Sequence, residues 1–416
     1  MTATADASAT YAAEVAGLLW PGAGSSAYVT RRRHTADLRH RDSYLFPNGR
    51  RPRLLMPADL PASASMIRRL GGGHSPVVAA GMRVLERSAR SRAFSLARWP
   101  MLRVPITDPR GDSIEQHLAE IFGTEVRVGV LLGTRRVNQK PVLQVFDLSG
   151  GLLGYAKVGH TALTAALVRS EAASLASVAR SRPRTFRVPE LLHHGQWSGL
   201  EVLVMSALTT DARVQVPASV RFTAMREVTE LQGTTTAPVA DSGFWRRIQR
   251  DAGLLADQAD PADAARLAAV VGLVDERHRS EPVSLGGWHG DWGAWNMGMG
   301  DDGLQVWDWE RYDADVPIGF DGLHFDAQLV RPGDTGDRRQ EEAFLRTSGQ
   351  TLSALGVGSD QHDVTLHLYL VEVAVRYLEA LTHGSTPPLR RRVSWVLSLL
   401  ERRLAPAGAV ATKGRS

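Results

Sequence analysis

Two carboxylates and one amide stand close together in a stretch of the chain that is rich in tryptophan and glycine. The stretch reads Trp288-His289-Gly290-Asp291-Trp292-Gly293-Ala294-Trp295-Asn296, and Val306-Trp307-Asp308-Trp309-Glu310 follows it. Phosphoryl transfer needs a carboxylate near the attacking hydroxyl and oxygen ligands for magnesium on the nucleotide phosphates. Asp291, Asn296 and Asp308 could supply these three roles. In the competing interpretation the acids only cap turns and the tryptophans fill a core, but the joint spacing argues against it.

The segment resembles the His-Gly-Asp-x-x-x-x-Asn catalytic loop of aminoglycoside phosphotransferases and choline-kinase-like enzymes. Every fixed position is filled, by His289, Gly290, Asp291 and Asn296, and Asp308-Trp309-Glu310 resembles the metal-binding motif of the same family. The resemblance implies a protein-kinase-like two-lobed α+β fold, with a small β-rich N-lobe and a larger, mostly helical C-lobe. It covers roughly residues 101 to 416.

The resemblance also implies roles for individual residues. Asp291 would be the catalytic base, and Asn296 and Asp308 would be ligands of Mg²⁺ bound with ATP. His289 would brace the loop rather than react. Asp321, in Pro317-Ile318-Gly319-Phe320-Asp321, resembles a downstream acid that steadies the catalytic loop.

Lysine is rare in this chain, and two of its lysines fall in one strand-rich stretch. Only three of the 49 basic residues are lysines, namely Lys140, Lys157 and Lys413. A lysine retained against such a bias is notable, because an ammonium and a planar guanidinium are not interchangeable where a point charge is needed. A kinase-like fold requires a lysine on its third strand, paired with a helix glutamate, to reach the nucleotide phosphates. Lys157 ends the third predicted strand.

The next predicted helix, from about Ala162 to Arg180, supplies a partner for Lys157. Its apolar face also contains an acid, and its members are Leu163, Leu167, Glu171, Leu175 and Val178. An acid within an apolar face is costly to bury unless it is paired. We therefore expect a Lys157–Glu171 ion pair; the alternative is a glutamate at the edge of the face that reaches water.

The loop that would cover the phosphates has no Gly-x-Gly-x-x-Gly pattern. The segment between the first two strands carries Arg135 and Lys140. These cations either lie over the nucleotide phosphates or form an exposed basic turn. Tyr155 stands where kinases usually have a small residue, so it either contacts adenine or gives the pocket a different roof. Met205 and Ala207 are candidate positions for backbone binding of adenine, since the strand Glu201–Met205 resembles the hinge between lobes.

Other aromatic and histidine residues are interpreted as structural. Trp292 and Trp295 are each expected to pack rather than to contact substrate. His193 and His194 are adjacent on a predicted strand and therefore point to opposite faces. His160, His324, His362 and His367 show no ligand spacing, so no transition-metal site is expected.

The chain divides into three predicted regions. Residues 1–100 form an arginine-rich extension with a hairpin, Ser43–Phe46 and Arg53–Met56, and a helix from Pro76 to about Leu96. Residues 101–208 form the nucleotide-binding N-lobe, and residues 209–416 form a helical C-lobe with the catalytic and metal-binding loops. The arginines of the first region are expected to line a solvated helix face, and without interleaved aromatic residues they argue against nucleic acid.

The amino-acid composition excludes several classes of protein and of functional site. The chain has 416 residues and no cysteine, which excludes disulfides, thiolate metal sites and cysteine nucleophiles. It contains no run of eighteen apolar residues and no signal-peptide pattern, so we expect a cytoplasmic protein without a membrane span. The net charge of +5 disfavours polycationic antibiotics and choline as acceptors and favours neutral or anionic ones such as sugars.

The sequence leads to two hypotheses about function, one an enzyme and the other a binding module. The first is an ATP- and Mg²⁺-dependent kinase that phosphorylates a hydroxyl of a small molecule, such as a sugar, an amino alcohol or an aminoglycoside-like acceptor. The second is a catalytically weak, kinase-shaped module that docks a polyanion or a protein through its arginine-rich first region. A protein kinase in the strict sense fits less well, because Pro317 and Asp321 follow Asp308 too closely for a long activation loop.

Overall fold

The chain folds into two compact units with an α+β architecture, which confirms the predicted fold class. The structure is a computed structural model, and it describes residues 3–21, 27–31, 40–70, 76–91, 93–106, 112–133, 139–211, 214–332 and 338–405. Unit 1 comprises residues 1–180, 188–215 and 298–310, and unit 2 comprises residues 181–187, 216–297 and 311–416. The predicted boundaries at residues 100 and 208 stay predictions.

The helices and strands are interspersed along the chain. The helices are α1 (Ala3–Leu19), α2 (Leu60–Leu70), α3 (Pro76–Arg90), α4 (Ala93–Leu96), α5 (Ile114–Phe122), α6 (Ala162–Ser181), α7 (Ala218–Glu230), α8 (Gly243–Gln258), α9 (Pro261–His278), α10 (Phe320–Leu329), α11 (Arg338–Ala354), α12 (His362–His383) and α13 (Pro387–Leu404). The strands are β1 (Tyr28–Thr30), β2 (His40–Phe46), β3 (Leu54–Pro57), β4 (Met101–Pro105), β5 (Val126–Leu131), β6 (Val142–Asp147), β7 (Leu152–Gly159), β8 (Phe186–Arg187), β9 (Leu191–Trp197), β10 (Leu200–Ser206), β11 (Thr235–Pro238), β12 (Pro282–Trp288), β13 (Met297–Gly300), β14 (Gly303–Val306) and β15 (Asp313–Pro317).

Unit 1 is built on an antiparallel sheet with the strand order β1-β4-β2-β3-β5-β6-β7-β10-β9. The predicted hairpin of the first region is confirmed, since β2 pairs with β3 from Ser43 opposite Pro57 to Phe46 opposite Leu54. That hairpin continues into the strands of the predicted N-lobe, because Leu54 of β3 lies opposite Leu131 of β5. Strands from the first hundred residues and from residues 126–206 therefore share one sheet.

Helices cover both faces of this sheet at β2 and β3, where successive side chains point to opposite faces. On one face, Leu45 and Leu55 join a core with residues of α1 and α5. On the other face, Tyr44 and Met56 pack with residues of α2. The sheet is thus buried on both sides where β2 and β3 lie.

Unit 2 is mostly helical, as expected for the predicted C-lobe, although the sequence did not reveal α10. Its core includes Trp245, Phe320 and Tyr369, and α12 is buried along most of its length. A small antiparallel sheet, β11-β12-β15, packs against these helices. The helix α10 is hard to recognise in the sequence because it has only ten residues, contains Gly322 and follows Gly319, which has a φ of 101°. Among the described residues, no helix combines the length and apolarity that crossing a bilayer needs.

A buried ion pair between neighbouring strands gives a test of the unit 1 sheet. Arg103 donates from Nε and Nη2 to the two carboxylate oxygens of Asp42, each at 2.7 Å, across the β2–β4 pair. Because Asp42→Ala leaves a buried guanidinium unpaired, it should lower the free energy of unfolding by about 3 kcal/mol or more. Chemical denaturation followed by circular dichroism measures this change.

The exposed pair of Arg127 with Glu125 is the matched control. Glu125→Ala should change the free energy of unfolding by less than about 1 kcal/mol. The double substitution Asp42→Leu with Arg103→Met should recover most of the loss, since apolar residues of similar volume can replace a buried pair. Equal losses for Asp42→Ala and Glu125→Ala would contradict the assignment.

Candidate active site

Lys157 lies on an interior strand of the unit 1 sheet and is held by two carboxylates. It lies on β7 between Val142 of β6 and Leu203 of β10. Its Nζ donates to the two oxygens of Glu171 at 2.5 and 2.6 Å and to Oδ1 of Asp308 at 2.6 Å. The predicted Lys157–Glu171 ion pair is therefore present, and the alternative of a water-exposed Glu171 is wrong, because that residue is 0% exposed.

The charges of this group stabilise the protonated lysine. Burial works against the charged form of Lys157, but the nearby carboxylates of Asp308, Glu171 and Glu310 outweigh burial and raise its pKa. A charge taken out of water in this way persists only when it is paired and hydrogen-bonded. The ammonium is thus a fixed positive charge across the neutral pH range.

A second lysine belongs to the same group. Lys140, just before β6, forms an ion pair with Glu310, and both side chains are nearly buried. The backbone carbonyl of Glu310 in turn accepts a hydrogen bond of 3.0 Å from Ser170 on α6. The interpretation of Lys140 as part of an exposed turn is therefore wrong, while its role at a nucleotide stays a prediction. Arg135 lies outside the described residues.

Glu310 was not singled out in the sequence as a member of this group. The available sequence signal was the rare lysine, Lys140. That signal does not indicate which residue pairs with Lys140, and Glu310 lies 170 positions away in the chain.

Asp308 adopts a backbone conformation that non-glycine residues rarely use. Its φ is 72°, in the left-handed region, directly after β14 and before a short 3₁₀ turn, Trp309–Arg311. Trp309 is buried and donates from Nε1 to the carbonyl of Val306 at 3.1 Å, which anchors this corner of the chain. Such strained backbone persists only where the surroundings hold it, and it is enriched at functional sites.

In unit 2, Asp321 holds the loop that follows β12. Its carboxylate accepts hydrogen bonds from the backbone N–H groups of His289 at 2.7 Å and Gly290 at 3.1 Å. Gly290 has a φ of 83°, and a Cβ there would overlap the carbonyl oxygen of Arg311. On its other side, the carbonyl of Gly290 accepts a bond of 2.8 Å from Arg376 on α12. This geometry fits the predicted steadying role of Asp321.

Asp291 points outward from this loop with both carboxylate oxygens positioned. Nδ2 of Asn296 donates to the Asp291 carbonyl at 2.9 Å and to its Oδ2 at 3.0 Å, and Nε2 of His324 lies 3.3 Å from Oδ1. His289 is buried, and its Nδ1 accepts from the backbone N–H of Asp291 at 3.2 Å, as a bracing role requires. The side chain of Asp291 remains 35% exposed.

The two acids of this loop region have opposite electrostatic environments. Burial opposes the charge of Asp291, but the hydrogen bond and charge of His324, with the charges of His289 and Arg376, hold its pKa below the usual range. Burial raises the pKa of Asp321 to about 7, against the opposing effect of its two backbone hydrogen bonds. Asp291 is therefore an anion at neutral pH that can orient a hydroxyl, whereas Asp321 is a supporting group.

His324 is a residue of this group that the sequence did not reveal. It lies on α10, three residues after Asp321, so both side chains share a helix face. Its Nδ1 is 3.2 Å from the hydroxyl of Tyr369 and its Nε2 faces Asp291, while burial lowers its pKa. A lone histidine in a short, unpredicted helix carries no recognisable signal.

The two tryptophans of the loop have different environments. Trp292 is buried and its Nε1 lies 3.3 Å from the sulfur of Met297, so its predicted packing role is confirmed. Trp295 is instead 55% exposed, so it does not fill a core, and its expected lack of a substrate contact stays a prediction. The physical reason is the turn closed by the N–H of Asn296 on the carbonyl of Gly293, which places residue 295 at the tip.

The predicted hinge positions lie at the end of β10. Met205 is buried and lies opposite Tyr155 of β7, while Ala207 follows the last residue of the strand. A Cβ at Gly154 would overlap the carbonyl of Met205, so the backbones approach closely there. No contact decides between the two interpretations of Tyr155, and the roles of Met205 and Ala207 stay predictions.

Unit 2 contains a histidine pair that spacing along the chain did not indicate. His278 Nε2 lies 2.8 Å from His367 Nδ1, with Asp363 nearby. Arg403 donates to Nε2 of His367 at 3.2 Å, so the proton of that ring is on Nδ1 and points at His278. Asp363 is also paired with two arginines, Arg277 and Arg403. His278, His367 and Asp363 lie close enough together to hold a metal ion, so the expectation of no transition-metal site stays a prediction.

The predicted magnesium ligands have the chemistry that the ion prefers. Mg²⁺ binds carboxylate and amide oxygens and keeps several waters. In unit 1, the carboxylate of Asp308 is about one-third exposed and uses Oδ1 for Lys157. In unit 2, Asn296 donates through Nδ2, so Oδ1 is its remaining ligand atom. Each of the two residues therefore offers an oxygen of the kind that the ion prefers.

Comparison with known proteins gives fold-level likenesses. No protein-family model and no curated protein matches the chain. Among solved structures, a thermostable mutant of aminoglycoside phosphotransferase APH(4)-Ia in its apo form is similar, at 14% identity and a TM-score of 0.46, over 70% of this chain and 98% of that one. A putative fructosamine-3-kinase from Haemophilus somnus 129PT is similar at 15% identity and a TM-score of 0.42, over 70% and 97% of the two chains.

A glucosamine kinase is also similar, at 16% identity and a TM-score of 0.35, over 63% of this chain and 76% of that one. These proteins are of the kind that the sequence resemblance named. With TM-scores below 0.5, these likenesses carry no argument about function.

The raised pKa of Asp321 predicts a pH dependence of stability. Its pKa is about 7 when folded and about 3.9 in an unfolded chain, so the folded state holds the proton more tightly. This contribution is complete below pH ~4 and is lost as the pH rises towards 7, by up to about 4 kcal/mol. Asp321→Asn should remove it, so the variant's free energy of unfolding should fall less between pH 4.5 and 7.5 than that of the wild type.

Denaturant unfolding at several pH values measures this difference. The exposed Asp301 provides the control, since Asp301→Asn should leave the pH profile of the wild type unchanged. Parallel profiles for the wild type and Asp321→Asn would show that the carboxyl is not protonated in the folded state.

Proposed function

We propose that the chain is an ATP- and Mg²⁺-dependent phosphotransferase that phosphorylates a hydroxyl group of a small molecule. The observation that carries the proposal is the ammonium of Lys157, held between buried Glu171 and Asp308 at hydrogen-bonding distances of 2.5 to 2.6 Å. A buried, permanently charged lysine beside an acid in a strained backbone is expensive in free energy, and phosphate binding gives a reason for it.

Each unit would supply a different part of the reaction. In unit 1, Lys157 would bind nucleotide phosphate oxygens, Glu171 would hold the lysine, and Asp308 would hold the metal. In unit 2, Asn296 would be the second metal ligand and Asp291 would bind the acceptor hydroxyl. The ion, when bound, neutralises charge on the phosphate oxygens.

The chemical step is a transfer of one phosphoryl group. The acceptor oxygen forms a bond to the γ-phosphorus as the bond from that phosphorus to the β–γ bridging oxygen breaks, and ADP leaves. The hydroxyl proton passes to Asp291. Because the pKa of Asp291 is low, its main contribution is to orient the hydroxyl, with proton transfer late in a loose transition state.

The docking module remains the alternative from another class. Arginines that are exposed on α2 and α3 favour it: Arg68, Arg69, Arg83, Arg87 and Arg90. Such a module has no need of a buried ammonium that is paired to acids on α6 and after β14. Binding of heparin without any effect of nucleotide would favour the module.

The role of Asp291 is testable by an isosteric substitution. Asp291→Asn should lower kcat by 100- to 10,000-fold, the usual range for a positioned acid–base group, with little change in the KM for ATP. The assay follows ADP release and labelled phosphate on a panel of sugars, amino alcohols and antibiotics. Asp315→Asn, at an exposed position of unit 2, is the control and should keep wild-type turnover. Persisting turnover in Asp291→Asn would show that this carboxylate is not the reacting group.

The role of Asp308 is testable by ligand-induced stabilisation. A ligand at a hundredfold excess over its Kd stabilises the folded protein by about 2.7 kcal/mol, so Mg-ATP should raise the Tm of the wild type by several degrees. Asp308→Ala should abolish the magnesium-dependent part of this shift. ATP with EDTA is the matched control. A Tm shift that is identical in wild type and Asp308→Ala would reject Asp308 as a metal ligand.

A further inference from the structure

Trp295 differs from the other tryptophans in being exposed. All ten tryptophans lie in the described residues, and the others are buried or half-buried. Exposing over half of an indole, 55% in this case, leaves apolar surface in water that a folded protein usually covers. The residue directly precedes Asn296, which is bonded to Asp291. An exposed aromatic side chain thus belongs to the same loop as the proposed reacting carboxylate.

The indole is held in place by the loop. A Cβ built on Gly293 would come within 2.5 to 2.9 Å of three indole atoms, Cε2, Cζ2 and Cδ2. Cε2 and Cδ2 form the bond that the two rings share, and Cζ2 is next to it. One face of the indole therefore lies over the backbone of Gly293. The turn is closed by the N–H of Asn296 on the carbonyl of Gly293 at 3.0 Å. The other face is directed away from the loop as a preorganised flat surface.

We propose that Trp295 is a stacking surface for the acceptor, and that the acceptor is an uncharged pyranose. This inference rests on the proposed function and adds the substrate class. The apolar C–H face of a pyranose packs on an aromatic ring, while its hydroxyl groups remain available for hydrogen bonds. One of these hydroxyls would reach Asp291, whose Oδ1 and Oδ2 are already oriented by His324 and Asn296.

The charges near this loop favour an uncharged acceptor over a polycationic one. Within unit 2, the carboxylates of Asp291 and Glu372 are matched by Arg376, which contacts the loop and is paired with Glu372, and by Arg311 beside it. A site for several ammonium groups requires a surplus of acids. An exposed indole can also hold a single ammonium by a cation–π interaction, so choline is the sharpest rival ligand.

The experiment compares acceptors and variants in one assay of ADP release. The acceptors are glucose, galactose and maltose, with kanamycin and choline as charged rivals. At least one neutral pyranose should be phosphorylated with a kcat/KM tenfold or more above those of kanamycin and choline. Trp295→Ala should raise the KM for that sugar about tenfold, corresponding to the loss of one aromatic stacking contact, and should change kcat less than threefold.

Two further variants separate stacking from a general structural effect. Trp295→Phe should restore the KM to within about threefold of the wild type, since a smaller ring can still stack. Gly293→Ala should raise the KM like Trp295→Ala, because the new Cβ displaces the indole without removing it. Leu329→Ala, which removes another exposed apolar side chain of unit 2, should change nothing. The KM for ATP should be the same in all four variants.

Several results would overturn the inference. One is a KM for the sugar that is unchanged in Trp295→Ala, and another is a preference of the wild type for kanamycin or choline. A third is a wild type that responds to Mg-ATP but neither phosphorylates nor binds any of the three sugars. Saturation-transfer NMR on the wild type measures that binding. A wild type without a Mg-ATP thermal shift and without ADP formation on any acceptor rejects the proposed function itself, and the inference with it.

Discussion

Unit 1 depends on the neutralisation of a buried ammonium. Lys157 is on an interior strand and is nearly buried, so its charge has to be matched by acids brought from elsewhere in the chain. Glu171 on α6 and Asp308 after β14 supply that match. The pairing therefore fixes where α6 packs on the sheet and where the β13–β14 hairpin ends. A guanidinium is larger and planar, which explains why lysine is retained here in a chain that otherwise uses arginine.

In unit 2 the buried group is an acid, and its partners are hydrogen-bond donors. A buried carboxylate, Asp321, accepts the N–H groups of His289 and Gly290, which would otherwise be unsatisfied in a tight turn. Because α10 places His324 on the same face as Asp321, one short helix both closes the loop and orients Asp291. The loop is thus rigid where its backbone is buried and open where its carboxylate is exposed.

The sequence predicted those parts of the site that depend on local patterns. Glu171 was recognisable because an acid interrupts an apolar helix face, and the Asp291–Asn296 spacing lies within one loop. Other features depend on tertiary contacts that leave no local pattern: the Lys140–Glu310 pair joins residues 170 positions apart, and β3 and β5 pair through only two residues. The exposure of Trp295 depends on the direction of one turn, which composition does not encode.

The contrast between Asp291 and Asp321 bears on the proposed function. Both carboxylates lie in the same low-dielectric part of unit 2, yet burial raises the pKa of Asp321 while His324 and its neighbours lower that of Asp291. Neighbouring titratable groups whose environments separate their pKa values have separate tasks. A carboxylate that stays ionised is a poor base but a strong hydrogen-bond acceptor. That property suits a reaction in which positioning the hydroxyl matters more than removing its proton. Specificity for the acceptor would then depend on the surface of the same loop, where Trp295 lies.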